Sequence, residues 1–147
     1  MTPSRLLLAV FAFITATALC TAQQTAGVTL LNSNQVAAAF AKGMPLLENN
    51  DFKVHASRRE APGVAEIHTR DTDIIHVLEG SATFVTGGTA VEPKTIAPNE
   101  IRGKEIQGGE IRRLHKGDVI VVPNGVAHCF KQVDAPLLYY VVKVTAK

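Results

Sequence analysis

The feature that most constrains this chain is a short apolar strand that ends in a tight turn and returns with a histidine. Val119–Val122 is stopped by Pro123, which cannot donate a hydrogen bond to a sheet ladder. Asn124-Gly125 follows, and this pair is the commonest in turns that need a positive φ. The chain then continues to His128. The stretch therefore predicts a histidine fixed at one point beside a β-sheet.

From residue 52 onward, the chain reads as a series of short β-prone runs separated by turn signals. The runs are residues 52–59, 64–68, 74–78, 82–86, 101–106, 111–114, 119–122, 128–132 and 137–144. The turn signals are Pro62-Gly63, Gly80, Gly87-Gly88, Pro98-Asn99, Gly108-Gly109, Gly117-Asp118, Asn124-Gly125 and Pro136. Such short and regularly punctuated runs predict an all-β sandwich or barrel. No second helical pattern of useful length appears, which excludes a βαβ architecture.

One short helix is predicted ahead of the strands. Ser33 can cap a helix through residues 36–41, and Gly43 supplies its C-terminal stop. Val36 and Phe40 stand four residues apart and therefore share one face, which we expect to cover the sheet. The sequence thus predicts a single-domain, all-β barrel with a short N-terminal helix.

The first 22 residues differ in composition from the rest. An apolar run follows Arg5, and Cys20-Thr21-Ala22 offers the small residues that a signal peptidase reads. This pattern predicts a signal peptide cleaved near Ala22 and a secreted or periplasmic protein. A lipoprotein attached through Cys20 is the second reading and a transmembrane anchor the third, because Leu19 is bulky for a lipobox and the run is short for a span. The predicted division is a signal peptide at 1–22, an N-terminal lead with the helix at 23–50, and the barrel domain at 51–147.

Charge and cysteine content narrow the classes of partner and bond. The formal net charge is +2, which suggests neither nucleic acid nor an anionic membrane as a partner. After cleavage Cys129 would be the only cysteine, so no intramolecular disulfide could form. A chain of 147 residues is long enough for one domain with an apolar core of its own.

Two histidines and two carboxylates are placed where a metal site could form. Glu66 and His68 are two residues apart, so they point to the same face of a strand. Asp73 opens the next run after a short turn, and His128 comes from a distant strand. This donor set suits Mn, Fe(II), Ni, Cu or Zn. We therefore expect a divalent transition metal, with a second carboxylate favouring Mn or Fe(II) over Cu(I).

The segment around His128 resembles the second motif of the cupin superfamily. Gly117, Pro123, Gly125 and His128 hold the family spacing, and Gln132 stands where the family often has Asn. The chain is similar in this respect to small single-domain cupins of type 2, the conserved-barrel proteins. The resemblance, which covers roughly residues 50–145, implies a cupin-like jelly-roll β-barrel with a metal held inside by residues of two motifs.

The first cupin motif is matched in part. Glu66 and His68 stand for the family's paired histidines, Asp73 for its usual glutamate, and Gly80 closes the motif. Glu66 thus replaces a histidine, and Asp73 is one methylene shorter than the family residue. Three compositions of the site follow: two histidines with two carboxylates, two histidines with one carboxylate, or a polar cavity without metal.

Several side chains near the predicted site have alternative roles. Glu66 is a metal ligand, a base beside the metal, or the partner of an arginine such as Arg58. Arg102 and Arg112 lie in two charged runs that are predicted to form a solvated hairpin. In the alternative reading, one of these two arginines leans over the barrel mouth and receives an anionic ligand.

Strand alternation assigns two further residues to the opposite face. His76 is three residues from Asp73, and Cys129 is adjacent to His128. Because side chains alternate along a strand, both His76 and Cys129 are predicted to point away from the metal ligands.

The predicted signal peptide, the resemblance and the donor set together predict a secreted or periplasmic cupin that binds a divalent metal inside its barrel. It is expected to act on a small organic acid or a sugar-like substrate, with oxygenase, isomerase and lyase chemistry all open. The alternative is a non-catalytic cupin module that binds a small molecule, and a structural or storage role comes third. A homodimer is expected by similarity to many small cupins. Neither nucleic acid nor, after signal removal, a membrane is an expected partner.

Overall fold

A computed structural model describes residues 27–147 of the chain, and Leu31–Lys147 forms one compact unit. The predicted signal peptide and its cleavage site near Ala22 lie outside the described residues, so the division of the chain at residues 22 and 50 stays a prediction. Between residues 27 and 147, no helix combines the length and the apolarity needed to cross a membrane.

Within residues 27–147 there is one helix, α1, which spans Ser33–Lys42. Its N-cap is Asn32 rather than the predicted Ser33, because Asn32 closes a reciprocal capping box with the residue three positions further on. Phe40 of the helix packs edge-on against Tyr140 of the sheet, with 4.9 Å between the ring centroids. The apolar face of the helix therefore covers the sheet, as its spacing predicts.

Eleven strands follow α1 in the described part of the chain. They are β1 (Met44–Glu48), β2 (Phe52–Arg59), β3 (Ala65–His68), β4 (Asp71–Thr86), β5 (Thr89–Ala90), β6 (Lys94–Ala97), β7 (Glu100–Gly103), β8 (Ile106–Gln107), β9 (Glu110–His115), β10 (Val119–Val122) and β11 (His128–Thr145). Nine of them form one curled antiparallel sheet in the order β1-β2-β11-β3-β7-β6, in which β4 pairs with β9, β10 and β11. β5 and β8 form a separate two-stranded ribbon. The all-β architecture with one short N-terminal helix is confirmed.

Two of the predicted turns lie inside long strands instead. Gly80 falls within β4 and Pro136 within β11, and the two strands pair with each other over most of their length. The pairing continues past both residues because the register shifts between Asp134 and Leu138. Gly80 has a φ of 79°, and a Cβ there would stand 2.6 Å from the carbonyl oxygen of Pro136. The glycine thus serves a close approach of two strands and does not end one.

A row of aromatic rings in the core leads up to the second motif. Phe84 and Leu137 are fully buried, and the ring of Phe84 lies 4.7 Å from that of Phe130. Phe130 in turn lies 5.1 Å from Tyr139. Burying a ring of this size contributes about 1.5–3 kcal/mol to folding. The centroid of the His128 ring is 6.0 Å from that of Phe84, so the core supports the histidine directly.

Candidate metal centre

The turn after Pro123 joins the two motif segments. Gly125 takes the positive φ that the turn needs, 80°. Its N–H donates a hydrogen bond to the carbonyl of His68 at 2.8 Å. After the turn, β11 begins by pairing His128 with Glu66 of β3. The turn predicted from the sequence therefore places His128 beside the strand that carries Glu66 and His68.

All four predicted site residues line one cavity of about 320 Å³. The centroids of the imidazole rings of His68 and His128 lie 5.2 Å apart. One ligand atom from each of Glu66, His68 and His128 lies within 4.8 Å of the other two. Asp73 Oδ2 is 3.5 Å from His68 Nε2 and 3.7 Å from His128 Nε2. The structure thus brings Glu66, His68 and His128 together, with Asp73 beside the two histidines.

Hydrogen bonds orient both imidazole rings. The Nδ1 atom of His68 lies 2.8 Å from Oε2 of Glu100, and that of His128 lies 3.0 Å from the carbonyl oxygen of Val126. Both oxygens accept, so the neutral form of either ring carries its proton on Nδ1 and presents the lone pair of Nε2 to the cavity. Burial lowers the pKa of His128, which keeps this ring neutral at pH 7.

One nitrogen is left without a partner at the centre of this arrangement. Among residues 27–147, His68 Nε2 is the buried side-chain nitrogen or oxygen that makes no hydrogen bond. A buried polar atom left unpaired costs about 1–3 kcal/mol. Two imidazole Nε2 atoms beside a carboxylate form a donor set that divalent transition metals accept, including the arrangement used by non-haem Fe(II). The residues present therefore fit such a metal.

Asp73 differs from Glu66 in already having a cationic partner. Lys143 Nζ donates to both carboxylate oxygens of Asp73, at 2.8 and 2.7 Å. The pair is enclosed, because the side chain of Asp73 is 5% exposed and that of Lys143 is 14% exposed. Any metal that bound Asp73 would have to share this carboxylate with Lys143.

Glu66 lies between two arginines. Its Oε1 atom is 3.6 Å from Nη2 of Arg59 and 3.8 Å from Nη2 of Arg102, whereas its Oε2 atom faces His68 Nε2 at 3.8 Å. Glu66 is therefore the partner of an arginine, as one of its alternative roles expects, but of Arg59 and Arg102 rather than of Arg58. Arg58 pairs with the exposed Glu60 at 2.5 Å, because consecutive residues of β2 point to opposite faces.

The two arginines of the charged runs have different surroundings. Arg102 lines the cavity, and its Nε atom donates to Glu100 at 3.1 Å. Arg112 instead donates to the hydroxyl of Thr86 at 2.5 Å and lies outside this cavity. Of the two arginines that could receive an anionic ligand, Arg102 is therefore the one that lines the cavity.

Three charged residues that line the cavity were not predicted from the sequence. Lys143 stands four residues after Tyr139, so alternation alone puts both on one face, but which face could not be read from the sequence. Glu100 reaches the site because β3 pairs with β7, which sets it opposite His68. Arg59 follows Arg58 directly, and only the facing of β2 decides between them.

Strand alternation separates two neighbouring residues from the ligands. His76 is exposed, as expected. Cys129 is buried and is among the residues that line the cavity, but its thiol is not part of the group of ligand atoms formed by Glu66, His68 and His128. Burial raises the pKa of the Cys129 thiol.

Comparison with known proteins identifies the family. The family model described as Cupin matches residues 23–147. The chain belongs to the cupin family. This confirms the resemblance carried by the two motif segments, and the curled sheet is the cupin jelly-roll barrel. Cupins commonly bind a divalent metal, and Glu66, His68 and His128 lie close enough together to hold one. No curated protein matches the chain.

Two solved structures share the fold of this chain at low sequence identity, and a third matches it less closely. BH2720 from Bacillus halodurans is 15% identical, with 82% of this chain and 85% of that chain covered and a TM-score of 0.57. Protein NMB1881 from Neisseria meningitidis is 15% identical, with 80% and 100% covered and a TM-score of 0.54. The DMSP lyase DddQ from Ruegeria pomeroyi DSS-3 is 19% identical, with 65% and 39% covered and a TM-score of 0.46. This cupin thus spans about two fifths of the length of that lyase.

Proposed function

We propose that this cupin is a metal-dependent enzyme that holds one divalent transition metal through His68, His128 and Glu66 and acts on a small organic molecule. The observation that carries the proposal is the buried Nε2 atom of His68, which has no partner while Glu100 holds the opposite nitrogen of the same ring. A histidine in this state is prepared to bind a cation at Nε2.

Glu66 is the preferred carboxylate ligand and Asp73 is the candidate fourth ligand. Glu66 turns one oxygen towards His68 and the other towards arginines, so it can bind a metal without losing its cationic neighbours. Asp73 Oδ2 is 3.5 Å from His68 Nε2 and 3.7 Å from His128 Nε2, but Lys143 donates to both oxygens of Asp73. The metal is Mn, Fe, Ni, Cu or Zn, because all of these accept nitrogen and carboxylate donors together.

The walls of the cavity suit a small molecule with polar and apolar parts. Phe130 and Val141 supply apolar surface, and Tyr139 supplies a hydroxyl. A volume of about 320 Å³ is near the lower end for small-molecule sites. A divalent metal bound here would supply Lewis-acid or oxygen chemistry. Oxygenation, isomerisation and lyase reactions all use such centres, and the proposal covers the three.

We place this activity outside the cytoplasm. The support is the composition of residues 1–22, which is that of a cleaved secretory signal, so the mature enzyme would begin after Ala22. The lipoprotein reading through Cys20 remains the second choice.

Elemental analysis tests the metal centre. Residues 23–147 are purified without added metal or chelator, as wild type and as the variants His68→Ala, His128→Ala and His76→Ala. About one equivalent of metal is expected in the wild type and in His76→Ala, whose exposed ring serves as the matched control. Both cavity variants should lose it. A wild-type protein that takes up none of the five metals, even after reconstitution, would refute the metal centre.

A binding module without catalysis is the second candidate function. The observation that favours it is the enclosed pair of Asp73 and Lys143, which balances one cavity carboxylate without any metal. A small-molecule ligand would then raise the melting temperature of the metal-free protein, with no turnover detected. Stabilisation that appears only in the metal-loaded protein would speak for the enzyme.

A further inference from the structure

Arg59 is held in a fixed orientation inside the cavity. Its Nε atom donates to the hydroxyl oxygen of Tyr139 at 3.2 Å. Its guanidinium carbon lies 4.9 Å from the centroid of the Phe130 ring, within the range of a cation–π contact. A Cβ on Gly63 would stand 2.7 Å from Arg59 Nη1, so the absence of a side chain at Gly63 makes room for the guanidinium. The side chain is 24% exposed, on the cavity side of the barrel.

The outer edge of this guanidinium points to the metal centre. A guanidinium has five N–H donors in a planar fork, and the bond to Tyr139 uses one of them. Nη2 is 3.6 Å from Oε1 of Glu66, which is an ion-pair distance and longer than a hydrogen bond. The terminal nitrogens of Arg59 therefore lie next to the carboxylate that we assign to the metal, with donors available to a planar acceptor such as a carboxylate.

With a divalent metal bound, the charges of the cavity would favour an anion as ligand. Three cationic and three anionic side chains line it: Arg59, Arg102 and Lys143 against Glu66, Asp73 and Glu100. The charges of these six side chains balance, and a divalent metal would leave two positive charges in excess. A carboxylate ligand would compensate that excess, whereas a neutral sugar would leave it in a partly enclosed site where unbalanced charge is costly.

We propose that Arg59 binds a carboxylate group of the substrate beside the metal, and that the substrate is a small carboxylic acid rather than a sugar. The proposal rests on the metal centre proposed above, because the excess of positive charge comes from the metal. Arg102, whose side chain is 48% exposed and whose Nη2 atom is 3.8 Å from Glu66 Oε1, attracts the anion to the cavity without fixing it.

Calorimetric titration tests the assignment with probes of defined charge. The probes are acetate, succinate and malate, with succinamide and glucose as uncharged comparators. Each is titrated into metal-free and Zn²⁺-loaded protein of residues 23–147, as wild type, Arg59→Gln, Arg59→Lys and Arg58→Gln. Arg58 is the matched control, because it neighbours Arg59 in sequence and pairs with Glu60 outside the cavity.

The metal-loaded wild type should bind at least one carboxylate probe and neither comparator. Arg59→Gln should weaken that binding by about tenfold or more, as expected for loss of a charge-assisted hydrogen bond. Arg58→Gln should leave it within about twofold. Arg59→Lys should restore part of the affinity, because it keeps the charge but lacks the planar fork. Melting temperatures of all variants show whether each one is folded.

Metal content is measured in every sample before titration, which separates the two proposals. The assignment of Arg59 is refuted if the metal-loaded wild type binds none of the three carboxylates. It is also refuted if wild type and folded Arg59→Gln bind a carboxylate equally well. Binding of succinamide or glucose as tight as that of the carboxylates refutes it too. A wild type that takes up no metal even after reconstitution, but binds succinate through Arg59, refutes the metal centre and supports the role of Arg59 in binding a carboxylate. Binding of neither metal nor carboxylate refutes both.

Discussion

The contact between Glu100 and His68 predicts how much of the metal affinity comes from outside the ligand set. Glu100 Oε2 accepts from His68 Nδ1 at 2.8 Å, and the His68 side chain is 6% exposed, so water cannot easily replace the carboxylate. Glu100→Ala removes the acceptor that selects the Nδ1-protonated tautomer and fixes the ring. Loss of such a partner typically weakens metal binding by about 10–100-fold. In free energy this is about 1.4–2.8 kcal/mol.

The assay is a competition for Zn²⁺ between the protein and a chromophoric chelator, with wild type, Glu100→Ala, Glu100→Gln and Glu110→Ala compared. Glu100→Gln keeps an amide oxygen that can accept from Nδ1, so its Kd should fall between those of wild type and Glu100→Ala. Glu110 is the matched control, because its side chain is 67% exposed and pairs with Arg112 outside the cavity. Its replacement should leave the Kd within about twofold.

One result would refute the reasoning about the tautomer. If His68→Ala abolished metal binding while Glu100→Ala kept the wild-type Kd, then His68 would be a ligand whose orientation does not depend on Glu100. Equal weakening in Glu100→Ala and Glu110→Ala would mean that the carboxylates act only through the overall charge of the barrel mouth.

Three further outcomes follow from the described contacts. Lys143→Met leaves the Asp73 carboxylate enclosed and unpaired, so the metal-free variant should lose about 3–5 kcal/mol of stability and gain more from added metal than wild type does; an unchanged melting temperature would contradict this. Gly125→Ala meets no atom within 4 Å but keeps a φ of 80°, so denaturant unfolding should show a loss of about 1–2 kcal/mol, from backbone strain alone. Burial alone would raise the pKa of Asp71. Hydrogen bonds, first among them the one from Lys53, outweigh burial, so the pKa of this carboxyl is below 3.8 in the folded state. The stability from Asp71 is therefore present above pH 3.8 and lost as pH falls through the lower folded value, and wild type and Lys53→Met should converge in unfolding free energy at acid pH.

The strands were readable from the sequence because their signals are local. Alternation and turn residues predicted β10 (Val119–Val122) and β2 (Phe52–Arg59) with the bounds that the structure shows. Gly80 and Pro136 carry the same local signals as true turns, yet each lies inside a long strand. Whether glycine ends a strand or permits a close approach depends on the partner strand, and the partner is not encoded locally.

The ligands were readable for the same reason, and their supporting residues were not. A spacing of two residues puts Glu66 and His68 on one face, and a turn returns the chain at His128. Glu100 and Arg59 reach the cavity only through strand register and facing, which are set when the whole sheet closes. Single-sequence reasoning therefore finds the donors of this site more easily than the groups that orient them.

Glu66 connects the two halves of the proposed site. Its Oε2 atom faces His68 Nε2, and its Oε1 atom faces Arg59 and Arg102. A metal that draws charge from Glu66 weakens the hold of this carboxylate on the arginines, and so makes their N–H donors more available to a substrate carboxylate. Because coupling between two binding events is reciprocal, a carboxylate on Arg59 must then strengthen metal binding by the same factor. The replacement of a family histidine by Glu66 would thus have a physical consequence: in the proposed site, one carboxylate stands next to both the metal and the arginine that binds the substrate.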